Sequence, residues 1–344
     1  MENVDISRAF SSNYPKHLYE KLTQRKEKAE SCRFNQSLSN YYKELPTLTY
    51  GANNLIECAG DCIEINFERK LGRHIIATRN IEVGDVIAIE KPFSQILLKE
   101  NYLTHCYNCL KPCRNLIPCD SCSLILFCGE NCKITSWNSC HKYECPILAS
   151  LLDLEVNKLT LVALKICMSV ESSTNEFNKD DTLKGSLYKS QNYHEIHNLI
   201  ANTDARTTSD LFERAVTAAI IFELLQKHTQ SFKHEGDAHK KNIFKELLLL
   251  HMQTGPSNFH EISELVRTNE NFYEVEEIGA GAYAFLSLLN HSCCPNVGEQ
   301  LFDNYGLMRI RKFWYDDGFL DFYGLPGSFE SLDFCNPWSA RGPP

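Results

Sequence analysis

The sequence predicts an α+β protein, in which a β-rich domain of short strands is interrupted by an inserted zinc finger and an inserted helical segment. Three observations support this fold class. Short apolar runs typical of strands occur before residue 100 and return after residue 295. A cysteine-rich window at 106–145 lies between them, and it is followed by two long stretches with apolar residues at helical spacing, 147–168 and 209–252.

The first strands are predicted in the segment 58–100. Here Ile63, Ile65 and Phe67 alternate with polar residues, and further short apolar runs follow, separated by glycine turns. Because strand-like material returns only after residue 295, the zinc finger is predicted to be an insertion into one sheet. The second part of this β-rich domain is predicted at 271–324.

Helical structure is predicted in two regions, an N-terminal extension at 1–57 and an inserted helical region at 147–270. In the second region Ser209 is a candidate N-cap for a long helix. The residues after it keep the period of an amphipathic face, which comprises Phe212, Val216, Ala219, Ile220 and Leu224. The stretch 171–208 is rich in Ser, Thr, Asn, Asp and Lys, and we expect it to form a long mobile connection.

The cysteine-rich window has the spacing C-x2-C-x9-C-x2-C-x5-C-x3-C-x8-H-x3-C, which supplies two tetrahedral sets of soft ligands for Zn²⁺. The candidate ligands are Cys106, Cys109, Cys119, Cys122, Cys128, Cys132, His141 and Cys145. Cys113 and Cys140 fall off this spacing and are predicted to be spectators. Disulfides are the alternative, but the N-terminus has no secretory signal, so a reduced intracellular chain is expected.

Composition excludes several classes of function. The 35 Lys and Arg residues against 44 Asp and Glu give a net charge of −9, which argues against a direct nucleic-acid-binding surface. No apolar run reaches membrane-spanning length, so no membrane contact is expected. No basic localisation cluster is evident, and both cytoplasmic and nuclear residence are expected.

A second motif lies downstream, at Ser287-Leu-Leu-Asn290-His291-Ser-Cys-Cys-Pro-Asn296. His291 beside serine and cysteine suggests a nucleophile with its general base. Adjacent side chains on an extended chain point to opposite faces, so His291 and Ser292 would not face each other. A buried polar turn is therefore favoured over a hydrolase site.

This motif resembles the N-H-S-C-x-P-N signature of SET-domain lysine methyltransferases, and the cysteine window is similar to the MYND finger in ligand order. Together they resemble the SET-and-MYND (SMYD) family over roughly residues 46–305. The sequence Gly72-Arg73-His74 is similar to the corresponding sequence in the subgroup of this family that also carries TPR helices. The resemblance implies a SET fold and a protein-lysine N-methyltransferase that acts on histone or non-histone proteins.

The family resemblance also implies how the metal ligands divide. One structural zinc would be held by Cys106, Cys109, Cys128 and Cys132, and the other by Cys119, Cys122, His141 and Cys145. Both sets are complete, so neither leaves an open position for water. The finger is therefore expected to bind proline-containing peptides of partner proteins rather than to perform chemistry.

The same resemblance implies a site for S-adenosylmethionine. The residues that it places there are Gly72, Arg73, His74, Asn258, Ser287, Leu289, Asn290 and His291. Backbone and amide groups of this kind can bind the polar ends of such a cofactor, and glycine permits close approach of the chain.

Two residues match the catalytic tyrosine of the family. Tyr305 lies in Gly298-Glu-Gln-Leu-Phe-Asp-Asn-Tyr-Gly306, which matches the family wording, but the hairpin expected before that motif is missing. A second alignment makes 301–302 and 307–311 the strands of that hairpin and places Tyr323 in the tyrosine position. Both alternatives stay open on sequence grounds.

The last segment, 325–344, is an atypical tail that lacks the cysteine cluster of the family, since Cys335 is its single cysteine. The third zinc site of the family is therefore not expected to form. An alternative function follows from this departure: a truncated isoform, or a catalytically silent adaptor that binds partner proteins through its MYND finger.

Overall fold

A computed structural model describes residues 46–172, 187–230, 232, 238–269, 272–291, 296–302, 305–310 and 321–322. All of them belong to one compact unit, which begins at Pro46. Most of the predicted N-terminal extension and all of the predicted tail at 325–344 lie outside the described residues. Among the helices of the described part, none is long and apolar enough to cross a membrane.

The described residues contain short strands and longer helices, which confirms the α+β class. The strands are β1 (Ile63–Glu68), β2 (Gly72–Ala77), β3 (Val86–Glu90), β4 (Ser94–Leu97), β5 (Ile117–Pro118), β6 (Leu126–Phe127), β7 (Phe259–Asn269), β8 (Phe272–Ala282), β9 (Asn290–His291), β10 (Val297–Phe302), β11 (Tyr305–Ile310) and β12 (Asp321–Phe322). The α-helices are α1 (Glu130–Ser136), α2 (Leu148–Asp153), α3 (Lys158–Ser172), α4 (Tyr193–His197), α5 (Thr208–His228) and α6 (Ala238–Asn258), besides a single turn at Lys142–Glu144. A π-helical turn lies at Trp137–His141, and 3-10 turns lie at Lys99–Asn101, Thr203–Ala205 and Leu286–Leu288.

Strands from both ends of the described chain share their sheets. One sheet has the order β3-β11-β10-β12-β9, and another has the order β4-β8-β7. The antiparallel pairs β3 with β11 and β4 with β8 connect the strands before the cysteine window with those after the helical region. The finger and the helices therefore lie between paired strands along the chain, as expected for insertions.

Strands return earlier than the sequence suggested. The helical region was predicted to extend to residue 270, but α6 ends at Asn258 and β7 begins at once. Phe259, Ile262 and Val266 have the i, i+3, i+7 spacing of a helix, which makes this stretch ambiguous. The pairing of β7 with β8 also has a register shift after Ile262, so this strand does not keep one regular two-residue period.

The predicted amphipathic face of α5 is wrong. Phe212, Val216 and Ile220 are exposed, with 70%, 40% and 43% of their surface accessible. The helix instead buries the face composed of Ala218, Ile221, Phe222 and Leu225. Because apolar residues occur on both sides of this helix, periodicity alone could not select the side that packs on α6.

The N-cap of α5 is also corrected. Thr207 occupies that position, and its hydroxyl oxygen accepts a hydrogen bond from the backbone N–H of Asp210 at 3.2 Å. Ser209, the predicted cap, lies inside the first turn. Thr207 provides the side-chain acceptor that a helix needs for its free N–H groups, so the helix begins two residues earlier than predicted.

The stretch 171–208 is not one long connection. Glu171 and Ser172 end α3, and residues 173–186 lie outside the described part. From residue 187 the chain is folded: Tyr188 forms a β-bridge with Ile56, and α4 begins after the N-cap Asn192. The polar residues of this segment form helix caps and hydrogen bonds. Composition alone does not distinguish such residues from those of a solvated loop.

The core has two clusters. In the larger one α3 is buried on nearly every side, which is typical of a central helix. The smaller cluster joins the finger to the β4-β8-β7 sheet, since Leu97, Ile262 and Ile278 pack with Tyr107 and Phe127. The finger is thus packed against the sheet through apolar side chains.

Gly279 permits the closest approach between β4 and β8. It is paired with Leu97, and a Cβ atom at this position would lie 2.2 Å from the carbonyl oxygen of Ile96. Because that oxygen belongs to the backbone of a paired strand, it cannot move aside without disturbing the pairing.

We therefore predict that Gly279→Ala lowers the free energy of unfolding by about 3 kcal/mol, as expected for overpacking of a close contact. The matched control is Gly51→Ala, where the nearest atom would be Asp61 Oδ2 at an ordinary 3.7 Å. Urea denaturation of both variants is the measurement. Equal stability of the two variants would contradict the predicted clash.

His251 is a fully buried histidine in α6. Its Nε2 lies 3.0 Å from the hydroxyl of Tyr193, and its Nδ1 has no hydrogen-bond partner among the described residues. Burial, together with the nearby His197, lowers the pKa of His251 from 6.5 to about 3. The folded protein therefore requires the neutral imidazole.

This lowered pKa makes stability dependent on pH. An unfolded histidine takes up a proton below about 6.5 and the folded one does not, so stability is complete above that pH and falls below it. For His251 alone we expect a loss of about 1.4 kcal/mol per pH unit between pH 6 and 4. His251→Gln should reduce the slope of unfolding free energy against pH by that amount, whereas His228→Gln, at an exposed position, should not.

Candidate functional site

Two groups of metal-ligating side chains lie in the finger. The first is formed by Cys106, Cys109, Cys128 and Cys132, and the second by Cys119, Cys122, His141 and Cys145. Within each group all ligand atoms lie within 4.8 Å of one another. These are the same two sets that the family resemblance implies, and Cys113 and Cys140 belong to neither.

The distances fit zinc rather than disulfides. With Zn–S bonds of about 2.3 Å, the sulfurs of a tetrahedral site lie about 3.8 Å apart, whereas a disulfide needs about 2.0 Å. The Sγ atoms of Cys109 and Cys128 are 3.8 Å apart, and those of Cys128 and Cys132 are 3.5 Å apart. In the second group, Cys122 Sγ lies 3.6 Å from His141 Nε2. Each group could therefore hold one zinc ion.

Short local elements bring the ligands together. Strands β5 and β6 form a small hairpin that follows the Cys106 and Cys109 turn, and α1 begins directly after Cys128 and Gly129. In the first group a hydrogen bond from Cys109 lowers the pKa of the Cys106 thiol to about 4. The same hydrogen bond raises the pKa of the Cys109 thiol, and burial raises the pKa of Cys128 to about 12, so zinc binding to this set would release protons.

The half-buried Arg73 binds α4 and the residue that follows that helix. Its Nη1 lies 2.6 Å from Glu195 Oε2, and its Nη2 donates to the carbonyl oxygen of Asn198 at 3.2 Å. Its neighbour Gly72 has a φ of +71°, and no atom lies within 4 Å of the position a Cβ would take. The backbone beside Gly72 is therefore open to a close approach, while Arg73 fixes the strand to the helical region.

Asn258 and Ser287 meet at the same segment. The Nδ2 group of Asn258 donates to the carbonyl oxygens of Ile200 and Thr254, both at 2.8 Å. The hydroxyl of Ser287 donates to the backbone oxygen of Asn258 at 2.6 Å. Three of the residues predicted for the cofactor are thus connected. Arg73 of β2 and Asn258 of α6 both bind the segment 195–200, and Ser287 of the 3-10 turn binds Asn258.

The remaining predicted cofactor residues lie beside this junction. His74 is buried on β2, with its Nδ1 atom 3.1 Å from the carbonyl oxygen of Gly72. Leu289 is buried after the 3-10 turn, and Asn290 and His291 form β9. The structure describes the backbone of His291, and residues 292–295, with Cys293, lie outside the described part.

The two candidate tyrosines fall in different places. Tyr305 begins β11 and pairs with Phe302 at the end of the β10-β11 hairpin. Tyr323 lies outside the described residues, but it follows Phe322, which pairs in parallel with His291. The hairpin with strands at 297–302 and 305–310 agrees with the alignment that favours Tyr323.

Sequence reasoning missed the residues that join this junction together. Glu195, Asn198 and Ile200 lie in the stretch that was expected to be a mobile connection. The signal that could have identified them is Asn192, an N-cap residue three positions before Glu195 and a typical start of a helix. No sequence motif identified Glu90, which accepts hydrogen bonds from the backbone of the 3-10 turn before Leu289.

Glu90 is a fully buried carboxylate at the end of β3. Its two oxygens accept hydrogen bonds from the backbone N–H groups of Phe285 and Leu286, at 2.9 and 2.8 Å. Burial, with the nearby Glu90 charge, raises the pKa of Tyr188 well above its usual value. By binding the start of the 3-10 turn that carries Ser287, Glu90 sets the position of Leu289 and Asn290.

The chain is similar in sequence to proteins that are named as lysine methyltransferases or as SET and MYND domain-containing proteins. No protein-family model matches the chain. The chain is 24% identical over 356 residues to protein-lysine N-methyltransferase SMYD4 of Danio rerio, with 85% of this chain and 46% of the relative covered. It is 21% identical over 236 residues to histone-lysine N-methyltransferase ASHR1 of Arabidopsis thaliana, with 69% and 44% covered.

A shorter similarity links it to a SET and MYND domain-containing protein of Dictyostelium discoideum, at 30% identity over 93 residues. That alignment covers 26% of this chain and 24% of the relative. The chain spans less than half the length of each of these curated relatives.

We predict that Glu90→Gln destabilises the protein by about 2 kcal/mol, because one acceptor oxygen becomes an amide donor that faces a backbone N–H group. Thermal and urea unfolding are the measurements. The control is Glu82→Gln, which makes the same chemical change at an exposed position. If both variants were as stable as the unmodified chain, the two hydrogen bonds would not position the 3-10 turn.

Proposed function

Because the chain belongs to the SET and MYND domain family, we propose that it is a protein-lysine N-methyltransferase that uses S-adenosylmethionine and carries two structural zinc ions. The observation that supports this proposal is the junction of Arg73, Asn258 and Ser287 around residues 195–200, beside the strand Asn290–His291. Distant parts of the chain converge there, as expected for a binding site.

The residues present fit the cofactor. Gly72 offers open backbone, and the amide of Asn290 and the other polar groups at the junction suit the amino-acid and adenine ends of the molecule. Gly72, Arg73, His74, Asn258, Ser287, Leu289, Asn290 and His291 would hold it. When bound, S-adenosylmethionine supplies a methyl group on a positively charged sulfur.

The chain itself must supply a neutral lysine amine. The pKa of free lysine is about 10.4, so the substrate enters mostly as an ammonium, which cannot attack. Phe285, Leu288 and Leu289 are buried around the predicted cofactor segment. Apolar surroundings of this kind disfavour the charged amine, and they also hold the reacting groups in line.

We propose Tyr323 as the catalytic tyrosine. In the sheet order β3-β11-β10-β12-β9, the strand of Tyr305 is three positions from β9, which is about 14 Å at normal strand spacing. Tyr305 pairs with Phe302, which lies five residues along β10 from Val297, or about 17 Å. Val297 is the residue of β10 that pairs with Phe322. Tyr323 directly follows Phe322 in the sequence, and Phe322 pairs with His291 of the adjacent strand.

Substitution of the two tyrosines tests this proposal. Tyr323→Phe should lower methyl transfer about 100-fold, since it removes a hydroxyl that orients the reacting groups, and should leave cofactor affinity unchanged. Tyr305→Phe is the matched control and should retain activity. Transfer of labelled methyl groups to histones and to a cell lysate gives the rate, and calorimetry gives the affinity. Loss of transfer in Tyr305→Phe alone would assign the role to Tyr305 instead.

A second function is an adaptor that binds partner proteins through the finger. The observation in its favour is that three large apolar side chains of this small module, those of Leu124, Ile134 and Trp137, are exposed. Proline-containing peptides would suit such a surface. Tight binding of S-adenosylmethionine without any transfer would favour the adaptor, and absence of both binding and transfer would exclude the enzyme for this chain.

A further inference from the structure

The two ligand groups of the finger differ in their protection from solvent. In the four-cysteine site, formed by Cys106, Cys109, Cys128 and Cys132, one sulfur belongs to the exposed Cys128 and two to half-buried residues. In the histidine-containing site, formed by Cys119, Cys122, His141 and Cys145, three of the four residues are buried. Competing thiols and chelators therefore reach the four-cysteine site more easily.

His141 has a buried carboxylate behind it. Its Nε2 faces Cys122 Sγ at 3.6 Å, and its Nδ1 lies 3.3 Å from Glu144 Oε2. The two side chains are 1% and 2% exposed. When Nε2 binds a metal, Nδ1 carries the proton and donates it in a hydrogen bond to Glu144, which fixes the ring orientation.

A buried lysine from outside the finger lies near enough to this carboxylate for its charge to act on it. Lys165 lies on α3 and is 5% exposed, and its charge acts on Glu144. Its Nζ lies 4.1 Å from the ring centre of Tyr107, whose side chain also forms a hydrogen bond with Glu144. Phe127, like Tyr107, packs its ring edge-on to His141, at a centroid distance of 6.3 Å. Glu144 thus lies in a dry environment with a cation nearby.

We propose that Glu144 and Lys165 support the histidine-containing zinc site, so that this site retains zinc more firmly than the four-cysteine site. Glu144 orients the ligand His141, and Lys165 offsets the cost of burying the carboxylate. The supporting cation belongs to α3, so retention of zinc at this site depends on the packing of the finger against the central helix. Beside the four-cysteine site, the buried His105 precedes the ligand Cys106 and lies 3.1 Å from Glu264, but His105 is not a ligand of either set and the Glu264 side chain is 29% exposed.

The first test uses the unmodified chain. Loading with cadmium-113 should give two resonances, because the two sites differ in donor set, and a chelator should then remove metal from each at its own rate. The resonance of the four-cysteine site should disappear first. Simultaneous loss of both, or earlier loss at the histidine-containing site, would overturn the proposal. The readout is metal release, so it does not depend on whether the chain transfers methyl groups.

The second test uses variants. Glu144→Gln, which keeps the shape of the side chain, should speed release from the histidine-containing site by roughly 10- to 100-fold and leave the four-cysteine site unchanged. Lys165→Met should act on the same site, and the double variant should lose less than the sum of the two, because it removes both charges together. Equal acceleration at both sites would indicate a general loss of folding and would contradict the proposal.

The matched control is Lys158→Met. Lys158 lies on the same helix, two turns before Lys165, and it also binds carboxylates, those of Glu261 and Glu277. Its loss removes an ion pair of α3 without touching the finger ligands. Release rates at both sites should therefore match those of the unmodified chain, and a change at the histidine-containing site alone would show that Lys165 has no special role.

Discussion

Pairing between distant strands is the constraint on which the rest of the structure depends. Strands β3 and β4 end before the finger, and their partners β11 and β8 follow the helical region. Gly279 allows β4 and β8 to approach, and Glu90 connects the end of β3 with the backbone at Phe285 and Leu286. These contacts hold the 3-10 turn that carries Ser287 against β2, the strand that begins with Gly72 and Arg73, and without them the candidate cofactor site would be two separate halves.

The ligand spacing of the finger and the strand alternation before residue 100 are local signals, and for this reason the sequence predicted the fold class well. The division of the ligands into two sets came from the family resemblance, because spacing alone allows several pairings. The buried side of α5 and the folded segment 187–206 could not be predicted, since each depends on which partner surface is available. The role of Glu90 could not be predicted from the sequence, because it accepts hydrogen bonds from residues almost two hundred positions away.

The finger contacts both the β4-β8-β7 sheet and the central helix α3, and the two contacts differ in kind. Apolar side chains at the β4-β8-β7 sheet hold one side of the finger, while Lys165 reaches it from α3. The same helix packs against α6, which ends at Asn258. The histidine-containing ligand group, which could hold zinc, is thus connected through one helix to the residues proposed to bind the cofactor.

The large separation between paired strands also determines the order in which this chain can fold during synthesis. All eight finger ligands lie within 106–145, so the metal sites can form as soon as that segment has left the ribosome. Strands β3 and β4 must wait until residues 279–310 have been made, which takes on the order of 10 s or more at the usual rate of translation. During that interval the β1-β2 pair and the two ligand groups of the finger already have their partners in the chain that has been made, whereas the apolar contacts of the finger with Ile262 and Ile278 form later.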